Sequence, residues 1–310
     1  MLSRTADHLY WMARYVERAE NTARLLDIAY QTTLQPQAAI DAEQTWRSLL
    51  SISELNALHA HGYTSVDARS VMKFFVADES NLSSIFNCLR AARENARAVR
   101  GALTTEVWET TNQTWLEFRK LLKADWLRDP SALFEWVKYR SHLSRGVTVG
   151  TMLQDEAFHF IRIGSFLERA DNTARLLDVK FYDDSEAPSE RDAARDFYYW
   201  SAVLRSVSGF EIYRKVYSNV IQPDKVADLL ILRQDMPRSL AHCTSRLVGN
   251  LKRVANPQSA ETLRRAGRLE AELNFGRIDE ILATGLHNYL DDFLAKVADL
   301  GGGISKDFLV

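Results

Sequence analysis

Two short stretches of this chain carry carboxylates and guanidiniums at helical spacing. Glu17, Asn21 and Arg24 are three and four residues apart. At ~100° per residue they share one narrow arc of a helix. Glu168, Asn172 and Arg175 repeat the arrangement, and Arg18 and Arg169 directly follow the two glutamates. Arginine suits carboxylate or phosphate through paired N–H donors. A glutamate in a desolvated cleft can serve as a general base. Two readings therefore compete. In one, Glu17, Arg18, Asn21, Arg24, Glu168, Arg169, Asn172 and Arg175 converge on a cleft and hold an anionic or amide-bearing ligand. In the other, they pair with each other and fix two central helices, setting register more than stability. A partial echo at Glu94, Asn95 and Arg97 reads first as a solvated face.

Other residues with chemical capacity point to no reaction. Glu156 and His159 form Glu-x-x-His, a spacing used in di-iron bundles. No second copy exists, and His8, the repeat partner of His159, has Thr5 at the matching place. His159 is expected to cap or bridge elements, and no metal or cofactor is expected. Cys88 and Cys243 sit within apolar helical patterns and read as small core residues. His242 adjoins Cys243, but adjacent helical side chains diverge, so no dyad follows. The tail Gly301-Gly302-Gly303-Ile304-Ser305-Lys306 lacks the order of a phosphate loop and follows no strand.

The elements that must position the charged groups are two long helices. Glu17–Asp27 reads E-R-A-E-N-T-A-R-L-L-D, and Glu168–Asp178 reads E-R-A-D-N-T-A-R-L-L-D. The offset is 151 residues, about half the chain. Weaker matches follow. Trp46 aligns with Trp200, and Val71, Ser84, Cys88 and Asn95 align with Val226, Ser239, Cys243 and Asn250. The expectation is internal duplication. It gives two helical halves, 1–146 and 147–310, related by a pseudo-two-fold axis and packed as one unit around the motif helices.

Leu9, Met12, Val16, Ala19, Ala23, Leu26 and Tyr30 form an apolar stripe, predicting a helix over Ser3–Thr33 with Ser3 as N-cap. Further helices are expected over 41–59, 66–76, 82–100, 105–123, 130–142, 151–182, 190–218, 223–232, 237–254, 257–282 and 285–300. An acidic loop is expected at 183–188 and a fraying glycine-rich tail after it all. Six prolines and thirteen glycines in 310 residues favour an all-α chain. Net charge is -2, with 39 basic and 41 acidic residues, which argues against a nucleic-acid binder. Two cysteines are too few for a disulfide framework. No apolar run reaches the ~18 residues of a membrane span. The charged opening is unlike a signal peptide. A bacterial-type cytoplasmic protein is the expectation.

The opening M-L-S-R-x-A-x-x-L-Y-W-M-A-R-Y-V-E-R-A-E-N-T-A-R-L-L resembles the bacterial alpha-E family, an all-helical domain with a Glu-Arg motif. Cys88–Arg100, Phe166–Asp178 and Pro237–Leu247 also fit. Ala13 stands where the family pattern has glycine, and Thr244 where it has leucine. The family has no established activity. The resemblance implies company: circularly permuted ATP-grasp ligases, often with transglutaminase-like proteins. The expectation is a stand-alone accessory subunit that binds such a ligase or its peptide-like substrate near the motif helices, without catalysis of its own. Two alternatives stay open. One is an enzyme of the same pathway with Glu17 or Glu168 as general base. The other is a structural homodimer joined through exposed aromatics.

Overall fold

The structure is a computed structural model that describes residues 1–34, 42–178, 190–217 and 220–309. The acidic loop expected at 183–188 lies outside these. Fifteen α-helices and no strand occur among the described residues. They are α1 (Ser3–Thr33), α2 (Ala42–Ile52), α3 (Asn56–Gly62), α4 (Ala68–Val76), α5 (Ile85–Ala98), α6 (Thr105–Leu121), α7 (Pro130–Thr151) and α8 (Glu156–Asp178), followed by α9 (Glu190–Ser206), α10 (Phe210–Val216), α11 (Pro223–Ile231), α12 (Leu240–Arg253), α13 (Ala260–Phe275), α14 (Ile278–Thr284) and α15 (Leu286–Ile304). None is long and apolar enough to cross a membrane.

The two motif helices α1 and α8 pack most extensively on each other. Helices α5 and α7 then pack on α1, as α12 and α15 do on α8. Such central helices must be apolar on more than one face. Leu9, Met12, Ala19, Ala23 and Leu26 of the predicted stripe are buried, and so are Glu17, Glu20, Asn21 and Arg24 on the polar arc. Helix α8 is buried almost throughout its length. Its Gly164 lies against α1 so closely that a β-carbon there would overlap the Tyr10 carbonyl oxygen and stand 3.1 Å from the Tyr10 carbonyl carbon.

Several expected boundaries are corrected. Ser3 does not cap α1: Leu2 is the N-cap, and no side chain caps the helix. The helix expected over 41–59 breaks after Ile52, and that over 190–218 breaks after Ser206. Each break centres on a non-glycine residue in the left-handed region, Glu54 (φ 56°) and Ser208 (φ 55°). The following amides, Leu55 and Gly209, bond back to the Leu50 and Leu204 carbonyls at 2.9 and 2.7 Å. That is a Schellman ending, which usually announces itself with glycine. Here the glycine signal is missing, so the sequence pattern ran on. Conversely, Gly146 and Gly150 do not end α7, which continues to Thr151.

The helix expected over 257–282 is divided in two at Gly276, and the tail does not fray. Helix α15 passes through Gly301–Gly303, and Phe308 and Leu309 are buried beyond it. A β-carbon on Gly303 would strike the Thr262 side chain, so glycine lets α15 close on α13. The Thr262 hydroxyl then donates to Asp307 at 2.6 Å.

Ser84 and Ser239 cap α5 and α12 by accepting from the amides of Asn87 and His242. Ser239 is fully buried. Ser239→Ala is expected to lower stability by about 1 kcal/mol in urea unfolding, as an N-cap loss normally does. An unchanged midpoint would mean that another group caps α12.

Candidate functional site

The charged motif residues meet where α1 crosses α8, and the two copies pair with each other. Arg169 makes a bidentate bond to Glu17, with Nε–Oε1 2.8 Å and Nη2–Oε2 2.9 Å. Reciprocally, Arg18 makes a bidentate bond to Glu168, at 2.6 and 3.1 Å. Each helix therefore gives its glutamate to the arginine of the other. Paired donors in a fixed fork make this a directional lock as well as a charge pair.

Around Glu17 the lock widens into a network. Glu20, fully buried, accepts from Arg24 of its own helix at 2.7 and 3.0 Å. It also receives the Ser141 hydroxyl at 2.6 Å and both Arg145 and Arg238. Arg145 and Arg238 reach Glu17 as well, at 3.0 and 3.2 Å. Arg24 further donates to the Ser206 carbonyl, tying α1 to the end of α9. Arg238 precedes α12, and Arg145 lies on α7. Three helices and a loop thus converge on two carboxylates. Around Glu168 the arrangement is smaller: Arg14 adds one bond at 2.7 Å and also donates to the Tyr10 hydroxyl.

The remaining expected residues are placed as follows. Asn21 is buried, and its side-chain oxygen accepts from Arg238 at 3.4 Å. The Asn172 side chain donates to the Glu168 backbone at 2.7 Å. Arg175 is about a third exposed and bonds Asp171 at 3.0 Å, matching the Arg24–Glu20 pair one motif earlier. Glu94 pairs with Arg93 and with exposed Arg97. The Asn95 side-chain oxygen accepts from His8 Nδ1 at 2.7 Å, and the Asn250 oxygen accepts from His159 Nδ1 at 2.8 Å. Glu156 is exposed and meets the N-terminal amine. His159 is thus a bridge from α8 to α12. Both cysteines are fully buried, and burial pushes their thiols up to about 12, which leaves them poor nucleophiles.

Glu20, Arg14, Ser141, Arg145 and Arg238 are not among the residues that the motif spacing singles out. Glu20 could have been found, because it is the single motif mismatch and Asp171 keeps its charge. Arg238 stands just before the cap residue Ser239 within a stretch already distinguished. Arg14 and Arg145 have no repeated counterpart, so nothing in the spacing marks them.

Burial alone would push the Glu17 carboxyl up, and so would neighbouring Glu20. Arg169 and Arg145 outweigh both and hold it at about 2. Glu20 is likewise driven well below its usual value: Arg238, Arg145 and Arg24 overcome desolvation. Glu168 is lowered by Arg18 and Arg14 against its burial. Desolvation pushes Arg238 down to about 10, only partly offset by Glu20. Carboxylates lowered in the folded state bind fewer protons than the unfolded chain between about pH 4.5 and 2. Stability is therefore full above that window and falls as pH drops through it. Buried Asp171 is raised by desolvation and contributes in the opposite sense. The expected result is an acid transition that becomes shallower in Glu17→Gln, measured by urea unfolding at pH 7, 5 and 3.5. Parallel pH profiles for the two proteins would exclude Glu17 as a source.

Two recesses of about 380 Å³ each, counting their open mouths, adjoin the network. One is mainly apolar, with Leu89, Trp136 and Val137 in its wall. The other is bounded by Met12, Glu17, Ser144, Arg145, Arg162 and Ser165. Of the eight paired motif residues, only Glu17 reaches either wall.

The family model Alpha-E, described as "a predicted alpha-helical domain with a conserved ER motif", matches residues 1–309. An uncharacterised protein of Mycobacterium bovis and two of Mycobacterium tuberculosis are similar to the chain, each 24% identical over 326 residues. These matches cover 95% of this chain and 35% of each relative, so the chain spans about a third of their length. No solved structure matches.

Proposed function

We propose that this chain, which belongs to the Alpha-E family, is a non-catalytic helical accessory module. It works beside an amide- or peptide-bond-forming ligase of the ATP-grasp type, binding that ligase or its peptide-like substrate. The observation that carries this is the reciprocal Glu17–Arg169 and Glu168–Arg18 pairing. The motif's charges are engaged with each other and hold α1 rigidly on α8. A glutamate held ionised near 2 by Arg169 and Arg145 is a weak proton acceptor at neutral pH, which disfavours the general-base alternative. The mycobacterial relatives carry nearly two further thirds of chain beyond the matched part, which suits a module that acts next to other domains.

The rigid frame itself is read as two duplicated halves, 1–146 and 147–310, about a pseudo-two-fold axis, as in an isologous contact. Support comes from paired features: His8–Asn95 with His159–Asn250, the Ser84 cap with the Ser239 cap, and the Glu54 break with the Ser208 break.

The test is affinity capture of the tagged chain from a bacterium that encodes both it and an ATP-grasp ligase. Ligase recovered in comparable amount is the expected result. Capture of no ligase, together with no binding to a panel of short peptides, would sink the proposal.

A further inference from the structure

We propose that the recess between α1, α7 and α8 is a binding site for a small oxyanion, a carboxylate or a phosphate, with Arg162 as its principal ligand and Arg145 beside it. The site goes beyond the accessory role and needs no partner protein.

Charge balance is the first argument. Inside the network two carboxylates, Glu17 and Glu20, face four guanidiniums, those of Arg24, Arg145, Arg169 and Arg238. Arg162 adds a fifth cation on the recess wall. It is half-buried, and among the described residues no carboxylate comes within ion-pair distance of it. Its guanidinium lies over the Phe166 ring at 4.4 Å, a contact that orients it but supplies no counter-charge. Desolvation, reinforced by Arg169, Arg246 and Arg145 and only partly offset by Glu17 at the recess, pushes Arg162 down to about 10. An uncompensated cation in a desolvated place is costly, and a bound anion removes that cost.

Shape is the second argument. Beside Glu168, the volume next to the carboxylate is filled by Arg14. The residue 151 positions after Arg14 is Ser165, which lines the recess beside Glu17. A short side chain therefore stands where the other motif copy has a long cation. Ser144 and Ser165 add hydroxyls to the wall, and the planar forks of Arg145 and Arg162 suit a carboxylate or a phosphate. The same recess offers no comparable welcome to a cation, because Glu17 is already engaged by three arginines.

The test is titration of the whole chain with inorganic phosphate, acetate and N-acetylglycine by calorimetry and amide chemical-shift mapping. Ionic strength is held constant with chloride. At least one anion is expected to saturate a single site, with shifts centred on α8 near Arg162. Phosphate alone, carboxylates alone or both would each support the site and identify its source. Arg162→Gln is expected to weaken binding tenfold or more while leaving the fold intact, since this side chain has no ion pair to lose. Ser165→Leu, which fills the recess without adding charge, is expected to abolish binding. Arg264→Gln, at an exposed pair with Glu261, should bind as the wild type. No saturation by any of the three anions, or equal binding by wild type and Arg162→Gln, would overturn the proposal.

Discussion

Glu17→Ala is expected to cost about 3–5 kcal/mol of stability, the range for removing one partner from a buried ion pair. Arg145 and Arg238 keep Glu20, but Arg169 loses the carboxylate it is paired with. Arg169, whose side chain is 9% exposed, cannot turn to water, and Arg238 at 8% is no better placed. Glu168→Ala should cost less. Its partners Arg14 and Arg18 are 19% and 26% exposed and can regain hydration. The order of the two variants is thus predicted as well as the size. A double-mutant cycle on Glu17→Ala and Arg169→Ala separates the pair from its surroundings, with a coupling energy of about 0.5–3 kcal/mol expected. Glu17→Gln should recover little, because an amide NH₂ would face a guanidinium donor. Urea unfolding of all variants at pH 7 gives the answer. A loss below about 1 kcal/mol for Glu17→Ala would mean that the network relaxes, and that the crossed helices do not depend on it.

What is legible in the sequence is the all-helical class and the pair of central helices. The near-identical motifs at Glu17 and Glu168 place the two central helices, and the apolar spacing with the proline beyond it gives the extent of α1, with its cap off by one residue. What could not be read was the partner of each charge. Helical periodicity reports which residues share a face, not which face meets which. It therefore left both a ligand-holding cleft and a closed pairing open for Arg18 and Arg169. Only the crossing of α1 with α8 assigns Glu17 to Arg169 and Glu168 to Arg18. Arg145 and Arg238 come from distant elements with no repeat to flag them. The missed helix ends have a local cause. Glu54 and Ser208 take a left-handed conformation without being glycine, at a cost of about 1–2 kcal/mol, which surrounding packing must offset.

Gly164→Ala provides a sharper test of that crossing, because its sign is opposite to the usual one. Glycine within a helix is ordinarily unfavourable, and alanine would stabilise it by about 1 kcal/mol. At Gly164 the added methyl would overlap the Tyr10 backbone carbonyl, which no side-chain rotation can relieve. Helix α1 or α8 must shift as a body, and overpacking of this type costs about 1–3 kcal/mol or more. A shift of a few tenths of an ångström also lengthens the bidentate Glu17–Arg169 bonds a turn or so away, so strain and lost pairing add. The corresponding residue on α1, Ala13, already carries a methyl and is buried, so close approach is demanded of one helix and not the other. Ala13→Gly should then only remove the methyl contacts and the helix propensity, with a loss of about 1 kcal/mol. Thermal and urea unfolding of both variants decides the matter. Destabilisation by Gly164→Ala places the α1–α8 contact as tightly as described. Stabilisation would mean that the helices stand farther apart at Tyr10, and the reciprocal ion pairs would then have to be longer than the bonds given above.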